Sequence, residues 1–195
     1  MPSPVAHSLA GIALGETKDN TFTTKDRFLF YTLAIFFALF PDLDFIPGYF
    51  RGNPNLYHHG ISHSIGFGVM VALLFGWTFS KFLHSTWKGV LFVFLLYLSH
   101  LLLDYLTVDT RPPIGEPLFW PLWDRYIISP VLIFSDVQKT SDSGTFFRSL
   151  FVMHNLLGMV KEFFILLPFV LLPPFFKSNG RLSWRNLTKS KEETQ

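Results

Sequence analysis

The chain has 195 residues, of which 49% are hydrophobic and 15% are charged, and it contains 24 Phe and no Cys. Soluble globular domains average about a quarter charged residues, so this composition argues against a soluble enzyme, a disordered protein or a coiled coil and predicts a membrane protein. Without cysteine, neither a disulfide framework nor a thiolate zinc site can form. The net charge of +2 is too small for a nucleic-acid-binding surface, so no nucleic-acid partner is expected.

Four apolar stretches follow a short, small-residue-rich N-terminal helix predicted over residues 4–14, which suits close packing against neighbouring helices. The stretches are residues 28–40, 64–82, 89–106 and 146–176. A membrane span needs about 20 residues, so the second and third stretches are long enough, whereas the first can cross only if flanking residues extend its helix. Lys161, Glu162 and three prolines interrupt the last, which is either one long span or an interfacial helix followed by a short one. We therefore predict an all-α, polytopic transmembrane helical bundle with about four to five membrane helices.

The predicted organisation is one integral-membrane domain, residues 1–176, followed by a basic tail, residues 177–195. Residues 107–145 form a long connection that is expected at the membrane surface. If the tail is cytoplasmic, ten Lys and Arg residues lie on its side and five on the other, which favours a cytoplasmic C-terminus in the cell membrane. The ten are Lys18, Lys25, Arg27, Lys81, Lys88, Lys177, Arg181, Arg185, Lys189 and Lys191.

His and Asp side chains gather at the ends of these stretches. They are Asp42 and Asp44 after the first, His58, His59 and His63 before the second, and His100 and Asp104 near the end of the third. The topology above places all of them at the non-cytoplasmic side, together with His7 if the first helix runs inward.

His100 and Asp104 are four residues apart, so they share one face of a helix and can reach a single ion. A buried carboxylate needs a cation, a hydrogen-bond network or a proton, and a divalent metal answers that need for several residues at once. Structural roles are the alternatives. One of Asp42 and Asp44 can end the preceding helix in a turn, and His7 can be a buried histidine that only packs against its neighbours. His84 is expected to be solvated, and His154 either supports the site from outside or plays no part in it.

Several motifs occur in order along the first two thirds of the chain. They are Pro4-x-x-His7 with Gly11, Pro41-Asp42-x-Asp44, His58-x-Gly60-x-Ser62-His63-Ser64 and His100-x-x-x-Asp104-x-x-Thr107, with Gly115 and Trp120-Pro121 beyond them. Together they resemble the membrane-bound metal-dependent hydrolases of bacterial inner membranes, of YdjM type. That family usually has Arg where this chain has His59, so His59 is a ligand, a substitute for a phosphate-contacting Arg, or neutral.

The order of His and Asp residues is also similar to the superfamily of zinc-dependent phospholipases C and single-strand nucleases. That likeness implies zinc ligands at His7, one of Asp42 or Asp44, His63, His100 and Asp104, with Asp104 bridging two metals. It implies one or more divalent ions, zinc first and manganese as the alternative.

The leading functional hypothesis is metal-assisted hydrolysis of a phosphoester or lipid-linked substrate. Asp104, or whichever of Asp42 and Asp44 is not a ligand, would orient water, and His58 or His59 would protonate the leaving group. Arg51 or Arg111 is a candidate phosphate contact or an interfacial anchor. An aromatic segment is expected to form an interfacial belt or to line the substrate path; it contains Phe119, Trp120, Trp123 and Tyr126.

Other classes compete with hydrolysis. A metal or proton transport path would use the same residues, although its groups should lie near the membrane midplane. A metal that only staples the bundle would lack an open coordination position. The motif His58-His59-x-x-x-His63 suggests a di-iron oxygenase, but the seven histidines of the chain are too few for the ligands of such a site. A zincin protease is disfavoured because Gly60 follows His59 where the motif His-Glu-x-x-His requires its Glu. The oligomeric state is not predicted.

Overall fold

The computed structural model describes residues 1–17 and 22–192, with side chains described to residue 174. The helices are α1 Pro4–Glu16, α2 Thr24–Ala38, α3 Phe45–Phe50, α4 Ile65–Phe75, α5 Ser80–Leu83, α6 Thr86–Tyr105, α7 Phe146–Ser149 and α8 Met153–Glu192. Across these ranges the only β pairing is two isolated bridges, Thr107 to Phe134 and Glu116 to Ile127. The all-α prediction is thus confirmed. Lys18 and residues 193–195 of the predicted tail lie outside the described residues.

Within the described residues, three helical segments are long and apolar enough to cross a membrane. They are Ile65–Leu83, Thr86–Tyr105 and Met153–Pro174. α2 qualifies only together with the helical turns of Phe40–Phe50, and the pair is bent by 61°. The count among the described residues is therefore three, which is fewer than the four to five expected, and it reaches four only if the bent pair is one span. The 13 residues of α1 are too few for a crossing because a helix rises only about 1.5 Å per residue.

Aromatic and aliphatic side chains from α2, α4, α5, α6 and the 3-10 turn Gly76–Phe79 form the apolar core. Phe30 of α2 is fully buried and stacks on Phe92 of α6 at 5.5 Å, while Phe79 and Phe82 meet it edge-on at 5.4 Å. Large rings bury much apolar area each, and edge-to-face contacts add to that gain. The high Phe content thus fixes how these four helices pack.

α1 packs against α2, α6 and α8, as its small residues predict. A Cβ on Gly11 would lie 3.0 Å from the carbonyl oxygen of Ala34, so a side chain there would require α1 and α2 to move slightly apart. At the start of α1, the backbone N–H of Ser3 donates to Glu162 of α8 at 3.0 Å. These contacts hold the N-terminus at the same end of the bundle as the end of α6.

α8 is one continuous helix from Met153, so the last apolar stretch contains one long segment rather than two short ones. Pro168, Pro173 and Pro174 lie inside it, because bundle helices can satisfy the backbone groups that proline frees. Its backbone continues as a helix to Glu192, through most of the predicted tail.

The connection over residues 107–145 is irregular, and it folds back over the end of α6. The N–H of Ser129 donates to Tyr105 O at 3.1 Å, and the N–H of Ile133 donates to Leu106 O at 2.8 Å. The connection therefore covers the end of the bundle where the predicted site residues lie.

Candidate metal centre

Four separate parts of the chain bring the predicted His and Asp residues together. His7 lies in the first turns of α1, and His100 and Asp104 lie one turn apart in α6. Asp42 and Asp44 occupy the 3-10 turn Phe40–Asp44 that follows α2, and the segment before α4 supplies the three remaining histidines. His7, His63 and His100 are completely buried, and Asp104 is almost so.

Two histidines and two aspartates point ligand atoms at one another. His100 Nε2 lies 3.3 Å from His63 Nε2, 3.2 Å from Asp104 Oδ2 and 3.7 Å from Asp42 Oδ1. His63 Nε2 lies 3.4 Å from the same Asp104 oxygen and 3.8 Å from the same Asp42 oxygen. Four N and O ligands placed tetrahedrally at about 2.0 to 2.2 Å from zinc are about 3.3 to 3.6 Å apart. The spacing of His63, His100 and Asp104 therefore matches three ligands of one divalent ion, and Asp42 Oδ1 lies near both imidazoles.

The second oxygen of Asp104 faces His7. His7 Nε2 lies 3.3 Å from Asp104 Oδ1, and the His7 ring stacks on His100 at 3.8 Å. Ligand atoms of His7, Asp42 and His100 also lie within 4.8 Å of one another. Asp104 thus offers one oxygen to each of two neighbouring groups of donors, an arrangement compatible with one ion or with two.

The far sides of the His63 and His100 rings are also held. His100 Nδ1 lies 2.8 Å from the carbonyl oxygen of Ala38, and His63 Nδ1 lies 3.2 Å from Asp44 Oδ2. The same Asp44 oxygen accepts a hydrogen bond of 2.8 Å from the Ser62 hydroxyl. A partner on Nδ1 fixes the ring and leaves Nε2 free to bind a metal, which is the usual outer arrangement of metal-binding histidines.

His59 adopts a left-handed backbone conformation, with φ of 58°. Such a conformation is uncommon outside glycine, and at a functional site it can serve to aim a side chain. The ring places Nε2 at 3.9 Å from Asp104 Oδ2 and Nδ1 at 3.4 Å from Asp109 Oδ2. Burial lowers the pKa of His59, which favours the neutral imidazole that can bind a metal.

His58 lies beside the cluster with a different set of contacts. Its Nδ1 is 3.1 Å from Asp44 Oδ1 and 3.9 Å from Asp42 Oδ1, and its ring stacks on Phe45 at 4.1 Å. Nε2 has no hydrogen-bond partner among the described residues. Burial lowers the pKa of His58 well below its ordinary value, so the ring is neutral near pH 7.

The residues present fit a divalent cation. Several buried polar atoms of the cluster make no hydrogen bond within the described chain; they are both ring nitrogens of His7, Asp42 Oδ1, His59 Nε2 and both carboxylate oxygens of Asp104. Leaving so many buried polar atoms unsatisfied is costly, and a cation removes that cost. Imidazole nitrogens with carboxylate oxygens suit zinc and manganese.

Two cavities meet at His58. One, of about 450 Å³, is mainly polar and reaches His59, Asp109, Arg111 and Lys139. The other, of about 560 Å³, is mainly apolar and reaches Asp44. Its walls include Phe40, Leu56, Ile61, Phe67 and Tyr126. The cluster is therefore flanked by two chemically different spaces.

Three ionisable residues near the centre were missed by sequence reasoning: Asp109, Glu116 and Lys139. Burial opposes ionisation of Asp109, but hydrogen bonds from His59 and from two backbone N–H groups lower its pKa to about 2. Glu116 is 1% exposed, and burial together with the charge of Asp104 raises its pKa well above the usual value. All three lie in the irregular connection, where no periodic pattern marks a residue as buried.

Other predicted candidates lie away from the cluster. His84 is exposed in a left-handed turn after α5, as expected for a solvated residue. His154 contacts Asp136, with Nε2 at 3.0 Å from its carbonyl oxygen, and takes no part in the cluster. Arg51 is exposed and lies over the Tyr57 ring at 5.7 Å. In the aromatic segment, Phe119 and Trp123 are exposed and stack on each other.

Comparison with known proteins gives one match. A family model described as YdjM inner membrane protein matches residues 1–180, which include every residue of the cluster. Neither a curated protein nor a solved structure matches the chain.

Proposed function

Because the chain belongs to the YdjM inner membrane protein family, we propose that it is a membrane-embedded, metal-dependent hydrolase of a phosphoester or lipid-linked substrate. The observation that carries the proposal is the spacing of the donors of His63, His100 and Asp104, which fits a divalent ion, with Asp42 Oδ1 near both imidazoles. The bilayer is the surrounding partner, and the charge bias favours a cytoplasmic C-terminus with the centre on the opposite side.

The proposed ligands are His63, His100, Asp42 and Asp104, with His7 on the second oxygen of Asp104 if two ions bind. Zinc is the first expectation and manganese the alternative, given nitrogen and oxygen ligands without sulfur. Asp44 was predicted as a ligand from the motif. Its contacts with the Nδ1 atoms of two histidines favour a role in positioning those rings instead.

When bound, a divalent ion at this centre supplies a Lewis acid and lowers the pKa of water to about 7. His58 is the proposed proton carrier: its neutral ring donates Nδ1–H to Asp44, so Nε2 would accept the proton that water releases and then pass it to a leaving group in the cavities. His59 sits closer to Asp104 than His58 does, and its ring separates the polar cavity from the cluster. Asp104, whose two oxygens face the two groups of donors, would orient the water.

The two cavities support an amphiphilic substrate. A polar head group fits the space lined by His59 and Lys139, and an apolar part fits the space lined by Phe40 and Phe67. Both spaces include His58, so the bond between head group and apolar part would lie at its ring. Binding pockets usually combine apolar walls with a few fixed polar groups.

The location of the cluster favours hydrolysis over the competing classes. His100 and Asp104 lie in the last turns of α6, at the end of the bundle, whereas a transport path should place such groups near the midplane. A metal that only joins helices requires no cavity, yet two cavities reach His58, His59 and Asp44, which contact the proposed ligands.

The test is hydrolysis measured on protein of known metal content. Wild type and Asp104→Asn are purified in the same detergent, and dioctanoyl phosphatidic acid and bis-p-nitrophenyl phosphate are offered to both. Asp124→Asn is the matched control, because it makes the same chemical change at an exposed residue away from the centre.

We expect wild type and Asp124→Asn to bind metal and to hydrolyse at least one phosphoester, and Asp104→Asn to lose both properties. Full metal occupancy in wild type with no hydrolysis of either compound, even after reloading with zinc or manganese, would contradict the phosphoester proposal. Hydrolysis that persists in metal-free protein would exclude the proposed chemistry.

A further inference from the structure

We propose that the polar cavity beside His58 and His59 is a phosphate-binding subsite in which Lys139 and Arg111 contact the anion. This inference rests on the proposed function and specifies the chemistry of the substrate's head group. The cavity volume of about 450 Å³ admits a phosphoryl group with a small substituent.

Lys139 is a buried cation without an anionic partner. The residue lines the cavity and is only 7% exposed. Within the described chain no carboxylate oxygen lies within 4.0 Å of its Nζ, which lies 4.9 Å from the centre of the Phe45 ring. The carboxylates of Asp42, Asp104 and Asp44 stabilise its charge only from a longer distance. A buried charge is unfavourable unless it is paired, so this ammonium group is suited to receive an anion.

Arg111 lies at the more exposed side of the same cavity. Its guanidinium donates to the carbonyl oxygen of Lys139 and to the Ser141 hydroxyl at 3.4 Å, which fixes it beside the lysine. The Asp109 carboxylate accepts from the backbone N–H of Arg111 at 3.1 Å and so fixes the turn, without pairing with the guanidinium. Arginine presents a planar set of N–H groups that matches phosphate oxygens.

The carboxylates in the cavity wall are already engaged. Asp109 contacts His59 and accepts from the N–H of Gly115 at 2.8 Å. Asp136 accepts from the Thr110 hydroxyl at 2.7 Å and lies 3.5 Å from His154. The two cations therefore remain available for a bound anion, while the two anions have partners within the wall.

The cavity also lies next to the proposed chemistry. His59 forms part of its wall with Nδ1 at 3.4 Å from Asp109, and the opposite side of the ring faces Asp104. A phosphoryl group held by Lys139 would thus be separated from the cluster by one imidazole. The burial that isolates Lys139 also lowers its pKa to about 8, so the amine is still mainly protonated at pH 7.

The experiment is a titration of purified full-length protein with inorganic phosphate by calorimetry, on samples matched for metal content. Wild type is compared with Lys139→Met, which keeps an unbranched side chain and removes the charge. Arg111→Met is the second variant, because its side chain lies nearer the surface and its loss threatens folding less. Lys88→Met is the control, since Lys88 is exposed at the start of α6.

We expect Lys139→Met to weaken phosphate binding roughly tenfold or more, the loss typical of one hydrogen bond to a charged group. Arg111→Met should weaken it several-fold, and Lys88→Met should not change it. Equal affinity in wild type and in both cavity variants, at equal metal content, would overturn the inference.

Two combinations of results distinguish this inference from the proposed function. If wild type hydrolyses phosphoesters but phosphate affinity is independent of Lys139 and Arg111, the subsite is wrong and the function stands. If wild type hydrolyses none but its phosphate affinity depends on Lys139, the subsite stands and the function is wrong. Tighter binding of dioctanoyl phosphatidic acid than of inorganic phosphate identifies a lipid head group, and equal binding identifies free phosphate; either supports the subsite.

Discussion

Asp44 provides the sharpest test of how the cluster is organised. Its two oxygens serve three groups: Oδ1 lies 3.1 Å from His58 Nδ1, and Oδ2 lies 3.2 Å from His63 Nδ1 and 2.8 Å from the Ser62 hydroxyl. In Asp44→Asn one of these oxygens becomes an NH₂ group. An NH₂ group cannot accept a hydrogen bond, so at least one imidazole loses its anchor.

The expected loss in metal affinity follows from that geometry. His63 would remain a ligand in Asp44→Asn, but its ring would be less well oriented and less basic. Changes to such outer partners typically reduce metal affinity about 10- to 100-fold, or about 1.4 to 2.7 kcal/mol. Replacing a direct ligand such as Asp42 or Asp104 by Asn should cost considerably more.

The assay is competition for zinc between the detergent-purified protein and a chromophoric chelator of known affinity. Wild type, Asp44→Asn, Asp42→Asn and the exposed control Asp124→Asn are compared at one pH. A loss in Asp44→Asn as large as that in Asp42→Asn would refute the positioning role and make Asp44 a direct ligand. An affinity equal to wild type would show that Asp44 does not support the centre at all.

Three further predictions concern metal, packing and pH. Removing metal with EDTA should lower the thermal midpoint of wild type, because a bound ion stabilises the folded state, and zinc should restore it; an unchanged midpoint would contradict metal binding. Gly89→Ala should destabilise the bundle by about 1 to 3 kcal/mol or more, because the added Cβ would lie 2.0 Å from Gly76 O. Gly144→Ala, whose nearest contact is 3.4 Å, should melt like wild type, and equal midpoints for both variants would argue against this packing. Burial lowers the pKa of Lys139 to about 8, so its positive charge is present below that pH and lost above it. Phosphate affinity should therefore fall as pH rises through 8 in wild type, and Lys139→Met should lack that component; identical profiles would contradict the lysine contact.

The cluster could be predicted from sequence because helical spacing is regular. His100 and Asp104 are four residues apart in an apolar segment, so one face of α6 had to carry both. Asp42 and His63 were each next to the end of an apolar stretch, and antiparallel helices joined by connections bring such ends together. The geometry then distinguishes Asp42 from Asp44, which adjacency in the motif left open.

The irregular connection could not be read in the same way. Asp109, Glu116 and Lys139 lie between residues 107 and 145, where neither a period of 3.6 nor one of 2 indicates which side chains point inward. Their burial depends on how this segment folds over α6, which is a tertiary effect. The proline-containing final stretch was ambiguous for a different reason, since prolines that usually end a helix are accommodated within α8.

The central claim is that this His and Asp cluster binds a divalent metal. Its most direct test is X-ray absorption at the zinc and manganese edges on detergent-purified wild-type protein, together with metal content. We predict near-stoichiometric metal with imidazole and carboxylate ligands at about 2.0 to 2.2 Å and no sulfur ligand, and loss of that signal in Asp104→Asn. No metal bound after reloading, or the same spectrum in wild type and Asp104→Asn, would contradict the account.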